Sequence, residues 1–519
     1  MTTLQRNVEP QALAFQVEQR GIDFIPEHER WAGPRNLAGM WAGSALNIEN
    51  FIYGALLMGF GFSFSTAATL IVIGNLSYFL LAVASLQGPQ GGTTTFTLAR
   101  AAFGTKGSKV LALFNWATML GFEAEGLILI VGALVVLSET AGFQVSTTAK
   151  VVFIVAATAA QAVLPYFGHA TMVKVFRQLI APFILIFGVF AYFALTHGHA
   201  IAAPASGGSW ELKTAGLAFV IALSGLGWSE CGNDYSRYLP TNTKTRSILG
   251  WIFIGTALPQ IAVMLLGSLA FTFLCGGGDW TPDVATSSWN GANPFEAFRH
   301  GPLPTWFVAI FMVFALCQLF AINALDLYSS GVSLQALVPR LKRYQCVVID
   351  SVLAGLLTTY ATFAASFSLY MKEFVGVIIV WIAPWFGVFI TDWLLRKRSY
   401  EPLELQRTDK DGRYFANHGL NWNGLVSFVV GLVCATLAFS KAPPPINFPF
   451  HSMTPISNAL GGSCATFGQD PCTAGYYGGA DFSIPLGIFV AGFVYFVAEK
   501  VTGTVKRQRC RESSLASAN

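Results

Sequence analysis

Apolar segments long enough to cross a membrane recur along almost the whole chain, and few folds can accommodate them. About 20 apolar residues span the hydrocarbon core of a bilayer. Charged residues make up 11% of the chain, whereas soluble proteins carry roughly 25%. The sequence therefore predicts an all-α membrane protein with twelve transmembrane helices. These spans lie near residues 37–61, 65–87, 110–137, 149–168, 172–196, 214–234, 248–275, 304–337, 345–370, 374–395, 424–440 and 482–499.

Basic residues lie mainly in alternate loops, which gives the expected orientation. Only five of the 31 lysines and arginines fall in loops that follow odd-numbered spans: Lys150, Lys213, Arg299, Lys372 and Lys441. Cytoplasmic loops are enriched in lysine and arginine. We therefore expect both termini in the cytoplasm and the protein in the plasma membrane. The net charge of +4 is explained by this orientation, so no nucleic-acid partner is expected.

A single transporter-like domain is expected over residues 37–500, between cytoplasmic tails at 1–36 and 501–519. Spans 1 and 6 are both interrupted, by "NIEN" and by "SGLGWSECGND". Interrupted spans at corresponding positions of two halves are typical of midplane binding sites in transporters with inverted repeats. We predict repeats at about 37–196 and 214–395, followed by extra helices at about 424–499. A disulfide between Cys464 and Cys472, in an outer loop, is left open.

Several carboxylates fall inside apolar spans, where an ionisable group is costly and suggests function. Glu49, Glu230 and Asp326 have no evident basic partner in sequence, so we expect them to bind substrate or to carry a coupling proton. Asp234 is expected to have a structural role, because Arg237 follows it by three residues and would lie on the same helix face. The others are Glu123 and Glu125, of which only one can face the bundle interior, and Asp350 and Asp392, which are expected to be hydrated near cytoplasmic ends.

Aromatic residues accompany these acids. Phe122 and Trp228 are candidates for stacking on a flat heterocycle, and packing is the alternative for both. Trp116 is expected to pack in the core or against lipid. No P-loop and no catalytic constellation occurs in the sequence, so an enzyme or an ATP-driven pump is not expected. The expected partners are a small heterocycle, a co-transported cation and the lipid bilayer, with no obligatory protein partner and no cofactor.

Longer motifs point to a known family. They include "GIDFIPEHERWAGPRNLAGMWAG" before and within span 1, "GPQGGTTTFTLARAAFGTKGS" after span 2, "GWSECGNDYSRYLP" at span 6 and "APWFGVFITDWLLRKRSY" at span 10. From about residue 20 to residue 500 the chain resembles the nucleobase–cation symporters of the purine–cytosine permease type. The resemblance implies a LeuT-like five-plus-five inverted repeat with two additional helices. It also implies alternating access driven by a cation gradient.

The resemblance also implies site residues. In sodium-coupled relatives two carbonyls of span 1 bind sodium, and they match Ala45 and Ile48. The following position, Glu49, matches a substrate-binding side chain, and Phe122 matches a stacking aromatic. The polar residue that relatives carry one turn after that aromatic matches Gly126, with Glu125 adjacent. A second stacking aromatic of the relatives falls near Gly225, one turn before Trp228. An amide of the relatives matches Asp326, with Asn323 nearby.

Span 8 departs from the sodium-coupled pattern. Phe320 and Ala321 stand where relatives carry hydroxyl ligands, and sodium prefers hard oxygen ligands. This favours a proton as the coupling ion, carried by Glu49, Glu230 or Asp326. We therefore expect a symporter that imports a nucleobase or related heterocycle. The alternatives are sodium coupling, a cationic heterocycle or amine as substrate, and a nutrient receptor that does not transport.

Overall fold

The structure is a computed structural model, and it describes residues 21–197, 208–275, 293–364, 367–439 and 480–508. These residues form twenty α-helices and no strand. The helices are α1 (Pro34–Ala45), α2 (Ile48–Met58), α3 (Phe64–Asn75), α4 (Tyr78–Ala84), α5 (Gln87–Gly91), α6 (Thr95–Leu98), α7 (Arg100–Thr140), α8 (Thr147–Gln161), α9 (Val163–Phe167), α10 (His169–His197), α11 (Trp210–Ala222), α12 (Gly232–Ser236), α13 (Thr245–Cys275), α14 (Glu296–His300), α15 (Thr305–Leu337), α16 (Arg343–Ala364), α17 (Phe367–Leu395), α18 (Pro402–Gln406), α19 (Trp422–Ala438) and α20 (Ser483–Thr502). Cys464 and Cys472 lie outside the described residues.

Nine helical segments within the described ranges are long and apolar enough to cross a membrane. The other predicted spans are the two interrupted ones, α1–α2 and α11–α12, and the 17-residue helix α19. Every predicted span thus coincides with a helix or with an interrupted pair of helices, which is consistent with a count of twelve. The prediction of an all-α membrane protein is confirmed.

Span 1 is broken at Leu46 and Asn47, between α1 and α2. Asn47 has extended backbone, and its side chain caps α2 by accepting a hydrogen bond from the backbone N–H of Asn50 at 2.8 Å. Asparagine is among the residues that favour this capping position because its short side chain reaches the exposed N–H groups of the first turn. The break therefore has a local cause in the sequence, and it leaves Glu49 in the first turn of α2.

Span 6 is broken over residues 223–231, between α11 and α12. This unwound segment, which contains Gly225, lies against the junction of α3 and α4. A Cβ atom added to Gly225 would stand 2.1 Å from the carbonyl carbon of Ser77, and the Gly225 N–H donates to Ser77 Oγ at 3.1 Å. The backbone of span 6 can approach span 2 this closely only because residue 225 has no side chain.

Part of the predicted N-terminal tail packs against the bundle, at the ends of spans 2 and 6. The Ile25 N–H donates to the Gly92 carbonyl at 2.8 Å, and the Ala32 N–H donates to the Tyr238 carbonyl at 3.1 Å. The buried Arg30 side chain also donates to Thr241 Oγ1 at 2.9 Å. Residues from Ile25 to Ala32 therefore belong to the folded domain, and they form hydrogen bonds with the ends of both span 2 and span 6.

Asp350 and Asp392, predicted to be hydrated, are both buried. Asp392 accepts from Arg396 Nε and from the Tyr495 hydroxyl, each at 2.7 Å. Asp350 accepts from Trp116 Nε1 at 2.7 Å. The prediction was wrong because position near a helix end does not determine solvation. Neighbouring helices supply donors here, and the indole of Trp116 has a polar partner besides its packing role.

Replacing Asp392 with asparagine is expected to destabilise the bundle by about 3 kcal/mol, because Arg396 would remain buried without its counter-charge. Thermal unfolding in detergent, followed by tryptophan fluorescence, measures the change. The matched control is Glu404→Gln, which removes the exposed pair between Glu404 and Arg407 and is expected to change little. Equal unfolding temperatures for the two variants would contradict a stabilising role of the buried pair.

Candidate functional site

A cleft lies where the breaks of spans 1 and 6 face each other, and it encloses about 450 Å³ of empty space, including the part open to solvent. Its lining combines aromatic, amide and acidic side chains from six spans. The lining residues are Trp41, Ser44, Ala45, Asn47, Glu49, Asn50, Tyr53, Tyr78, Phe122, Ala222, Leu223, Gly227, Trp228, Gln260, Ile322 and Asp326.

Two acids, Glu49 on α2 and Asp326 on α15, enter the cleft from different helices. They are 6% and 2% exposed, and their charges lie close enough to interact. Glu49 Oε1 and Asp326 Oδ1 have no hydrogen-bond partner among the described residues. A buried acceptor without a partner costs about 1–3 kcal/mol. The cleft is therefore arranged to receive a molecule with several N–H donors.

Glu125 lies behind this lining and reaches the cleft through Tyr53. The Tyr53 hydroxyl donates to Glu125 Oε1 at 2.8 Å, and Tyr53 itself lines the cleft. Glu125 thereby orients the Tyr53 hydroxyl, and the hydroxyl oxygen of Tyr53 can still accept a hydrogen bond. Glu123, two residues earlier, interacts electrostatically with Asp350 instead. Both acids are thus buried in the bundle, and Glu125 is the one on the cleft side.

Phe122 and Trp228 both line the cleft, from span 3 and from the unwound segment of span 6. Trp41 packs edge-on against Trp228, with ring centroids 5.5 Å apart, and against Tyr235 at 5.2 Å. Phe122 packs edge-on against Phe374 at 4.8 Å. These neighbours hold the two cleft aromatics in place.

Other predicted site residues do not line the cleft. Glu230 is fully buried, and neither of its carboxylate oxygens has a hydrogen-bond partner among the described residues. Gly225 packs on Ser77 and has no room for the aromatic that relatives carry there. Asn323 donates to the Glu123 carbonyl at 3.1 Å and to Gln161 Oε1 at 2.9 Å. A Cβ atom on Gly126 would stand 1.9 Å from Asn323 Oδ1, so glycine at that position makes room for this amide.

The candidate cation ligands of span 1 differ from each other in their surroundings. The Ala45 carbonyl accepts a hydrogen bond from Asn50 Nδ2 at 2.9 Å, although Ala45 lines the cleft. Ile48 is fully buried in the core and does not line it. Among the described residues no group of three or more histidine, cysteine or acidic side chains could hold a metal ion.

The sequence analysis missed several polar and aromatic lining residues, notably Trp41, Asn50, Tyr53, Tyr78 and Gln260. Tyr78 and Gln260 form one unit, in which the tyrosine hydroxyl donates to Gln260 Oε1. Gln260 Nε2 in turn donates to the Leu223 carbonyl at 3.1 Å. The available signal was the same one that identified Glu49. A glutamine inside an apolar span needs a hydrogen-bond partner. Gln260 has one in the Leu223 carbonyl, just after the end of α11, where carbonyls have no partner within the helix.

Comparisons with known proteins identify the family of the chain. Residues 24–459 match the family model described as permease for cytosine/purines, uracil, thiamine and allantoin. A Bacillus subtilis (strain 168) protein named "Putative purine-cytosine permease YxlA" is 26% identical over 502 residues, which cover 94% of this chain and 96% of that protein. The purine-cytosine permease fcyB of Emericella nidulans is 25% identical over 410 residues, 77% of each chain.

A solved structure supports the fold. Mhp1, a nucleobase-cation-symport-1 family transporter in a closed conformation with bromovinylhydantoin bound, aligns with a TM-score of 0.70 and 18% identity, covering 95% of this chain and 99% of that chain. The predicted inverted-repeat fold with additional helices is therefore confirmed. Members of the matched family are permeases and not enzymes. The family model matches most of the chain, and this protein therefore belongs to the family of membrane permeases for cytosine and purines, uracil, thiamine and allantoin.

Proposed function

We propose that the protein imports a nucleobase or a closely related nitrogen heterocycle together with a proton, by alternating access. The observation that carries this proposal is the cleft at the two helix breaks, which is lined by the acids Glu49 and Asp326 and by the aromatic side chains of Phe122 and Trp228. A flat ring with N–H groups at its edge complements both features. The sequence pattern of basic loops supports a plasma-membrane location with both termini in the cytoplasm.

Recognition would divide between ring faces and ring edge. Phe122 and Trp228 would pack on the faces of the heterocycle. Glu49 and Asp326 would accept hydrogen bonds from ring N–H or amino groups, and the amides of Asn50 and Gln260 would help select the edge pattern. Glu125 would act through Tyr53. Asn323, Glu230 and Gly225, which the sequence had placed in the binding site, would support the surrounding structure.

Coupling to a proton is supported by two features of the cleft. The carbonyl of Ala45 already accepts the Asn50 amide, so only one lone pair of that oxygen remains for a sodium ion. Span 8 offers Phe320 and Ala321 in place of hydroxyl ligands, and hard cations need oxygen ligands. Glu49 and Asp326 can instead take up and release a proton as substrate arrives and leaves.

A cationic heterocycle is the second candidate substrate. Two acids line the cleft, and no lysine or arginine does so among the described residues. Such a site suits a positively charged ring as well as a donor-rich neutral one. If a cation binds between the two carboxylates, it would supply the charge that the proton supplies in the first candidate.

Uptake into proteoliposomes tests these proposals. The labelled panel is cytosine, adenine, hypoxanthine, uracil, allantoin and thiamine, with an imposed pH gradient or sodium gradient. We expect accumulation of a purine or pyrimidine that follows the pH gradient and ignores sodium. Selective accumulation of thiamine would favour the cationic candidate, and accumulation driven only by sodium would contradict proton coupling. Binding without accumulation under any gradient would identify a receptor.

A further inference from the structure

A second pair of acids lies outside the lining of the cleft. Glu123 on α7 and Asp350 on α16 are both fully buried, and their charges interact. Neither Glu123 oxygen has a hydrogen-bond partner in good geometry among the described residues. The proposed recognition of substrate does not involve these two acids. Burying two ionisable groups inside a membrane protein costs free energy, which suggests that they have a function of their own.

Ser330 connects this acid pair with the cleft. Its hydroxyl donates to Asp350 Oδ2 at 2.9 Å and also lies near the Glu123 carboxyl. Asp326, which lines the cleft, precedes Ser330 by four residues on α15. Side chains four residues apart lie on the same helix face. Asp326, Ser330 and Asp350 therefore form a polar series, in which Ser330 and Asp350 are joined by a hydrogen bond, with Glu123 beside it.

The series descends from the cleft toward the cytoplasmic ends of its helices. Asp350 is seven residues from the start of α16 at Arg343, which corresponds to about 10 Å along the helix axis. Asp326 is eleven residues from the end of α15 at Leu337, or about 16 Å. The cleft acid is thus the deepest member, and Asp350 is the member nearest the cytoplasm.

We propose that Glu123 and Asp350, linked by Ser330, form a proton relay that carries the coupling proton from Asp326 to the cytoplasm. The relay rests on the proton-coupled transport proposed above. Glu123 holds a proton at rest and passes it to the Ser330 hydroxyl, which donates its own proton to Asp350. Glu123, now an anion, then takes up the proton of Asp326. Asp350 releases a proton to the cytoplasm, and Asp326 is left as an anion that takes its next proton from the cleft.

The hydrogen bonds give this relay a direction. Asp350 accepts from Trp116 Nε1 and from Ser330 Oγ, and two donors suit an ionised carboxylate that is ready to accept a proton. Glu123 lacks such donors, which suits a protonated carboxyl. The titratable and charged groups near the pair are Asp326 on α15 and, on α16, Cys346 and Arg343; Cys346 interacts electrostatically with both Asp350 and Arg343.

The test separates proton movement from substrate movement. Wild-type protein and the variants Glu123→Gln and Asp350→Asn are reconstituted in vesicles loaded with a pH-sensitive dye. The probe is labelled cytosine, or the panel member that wild type accumulates. We expect accumulation driven by the pH gradient to fall about tenfold or more in both variants. Internal acidification on substrate addition is lost, while exchange of internal for external substrate at equal pH continues.

Conservative variants and a matched acid complete the design. Glu123→Asp and Asp350→Glu are expected to restore part of the acidification. Glu499→Gln, which alters a buried acid on α20 that binds Asn423, is expected to keep both activities. Unchanged acidification in Glu123→Gln and Asp350→Asn would overturn the relay, and so would a loss of exchange that the conservative variants do not restore. Wild-type uptake without acidification would instead contradict the proposed proton coupling itself.

Discussion

Glu49→Gln is expected to weaken substrate binding by about tenfold to a hundredfold. The variant keeps the size of the side chain and one carbonyl oxygen, but it loses the negative charge that strengthens a hydrogen bond from the substrate. Hydrogen bonds to charged groups contribute about 1.5–3 kcal/mol, and 1.4 kcal/mol corresponds to a factor of ten in affinity. Equilibrium binding of the labelled panel member that wild type accumulates measures the effect.

Glu230→Gln is the matched control for that experiment. Glu230 is also a buried carboxylate in an interrupted span, yet it does not line the cleft. We expect its replacement to leave the dissociation constant close to that of wild type. Unchanged affinity in Glu49→Gln would remove Glu49 from the binding site. A large loss in Glu230→Gln alone would show that the unwound segment of span 6 turns its other side to the substrate.

Gly225→Ala is expected to cause a large loss of stability, because the added Cβ atom would stand 2.1 Å from the carbonyl carbon of Ser77. Backbone atoms cannot move aside as a flexible side chain can, so the unwound segment and the α3–α4 junction must separate. Overpacking of this kind costs about 1–3 kcal/mol or more. Thermal unfolding and the yield of monodisperse protein in detergent measure the loss.

Gly250→Ala provides the control for Gly225→Ala. Gly250 lies within α13, and a Cβ atom added there meets nothing within 4 Å. Alanine also has a better helix propensity than glycine, so stability is expected to be unchanged or slightly higher. If Gly225→Ala unfolded at the same temperature as wild type, the close approach between spans 2 and 6 would be wrong. The aromatic that relatives carry near this position could then be accommodated here as well.

The span positions and helix breaks could be read from the sequence because they depend on local chemistry. Apolar length identifies a membrane helix wherever it occurs. Asn47 caps α2 through its own side chain, so the break in span 1 has its cause within a few residues. The same reasoning singled out Glu49, Phe122, Trp228 and Asp326, since each interrupts an apolar run or accompanies a residue that does.

The direction of side chains in irregular segments could not be read in this way. Residues 223–231 have no helical periodicity, so the sequence cannot tell that Trp228 lines the cleft while Glu230 does not. Gly225 illustrates the same limit. The relatives' pattern places an aromatic near that position, but here the backbone of Ser77 occupies the space.

The sequence by itself determined the membrane class, the helix pattern, the breaks and the family, because hydropathy, capping and motif spacing are properties of neighbouring residues. Only the tertiary structure decided which side chains each buried acid contacts. Glu49 joins Asp326 at the cleft, Asp350 meets Trp116 and Ser330, and Asp392 pairs with Tyr495 across helices. The free energy of a buried charge depends on the groups around it, and those groups come from helices far apart in the chain.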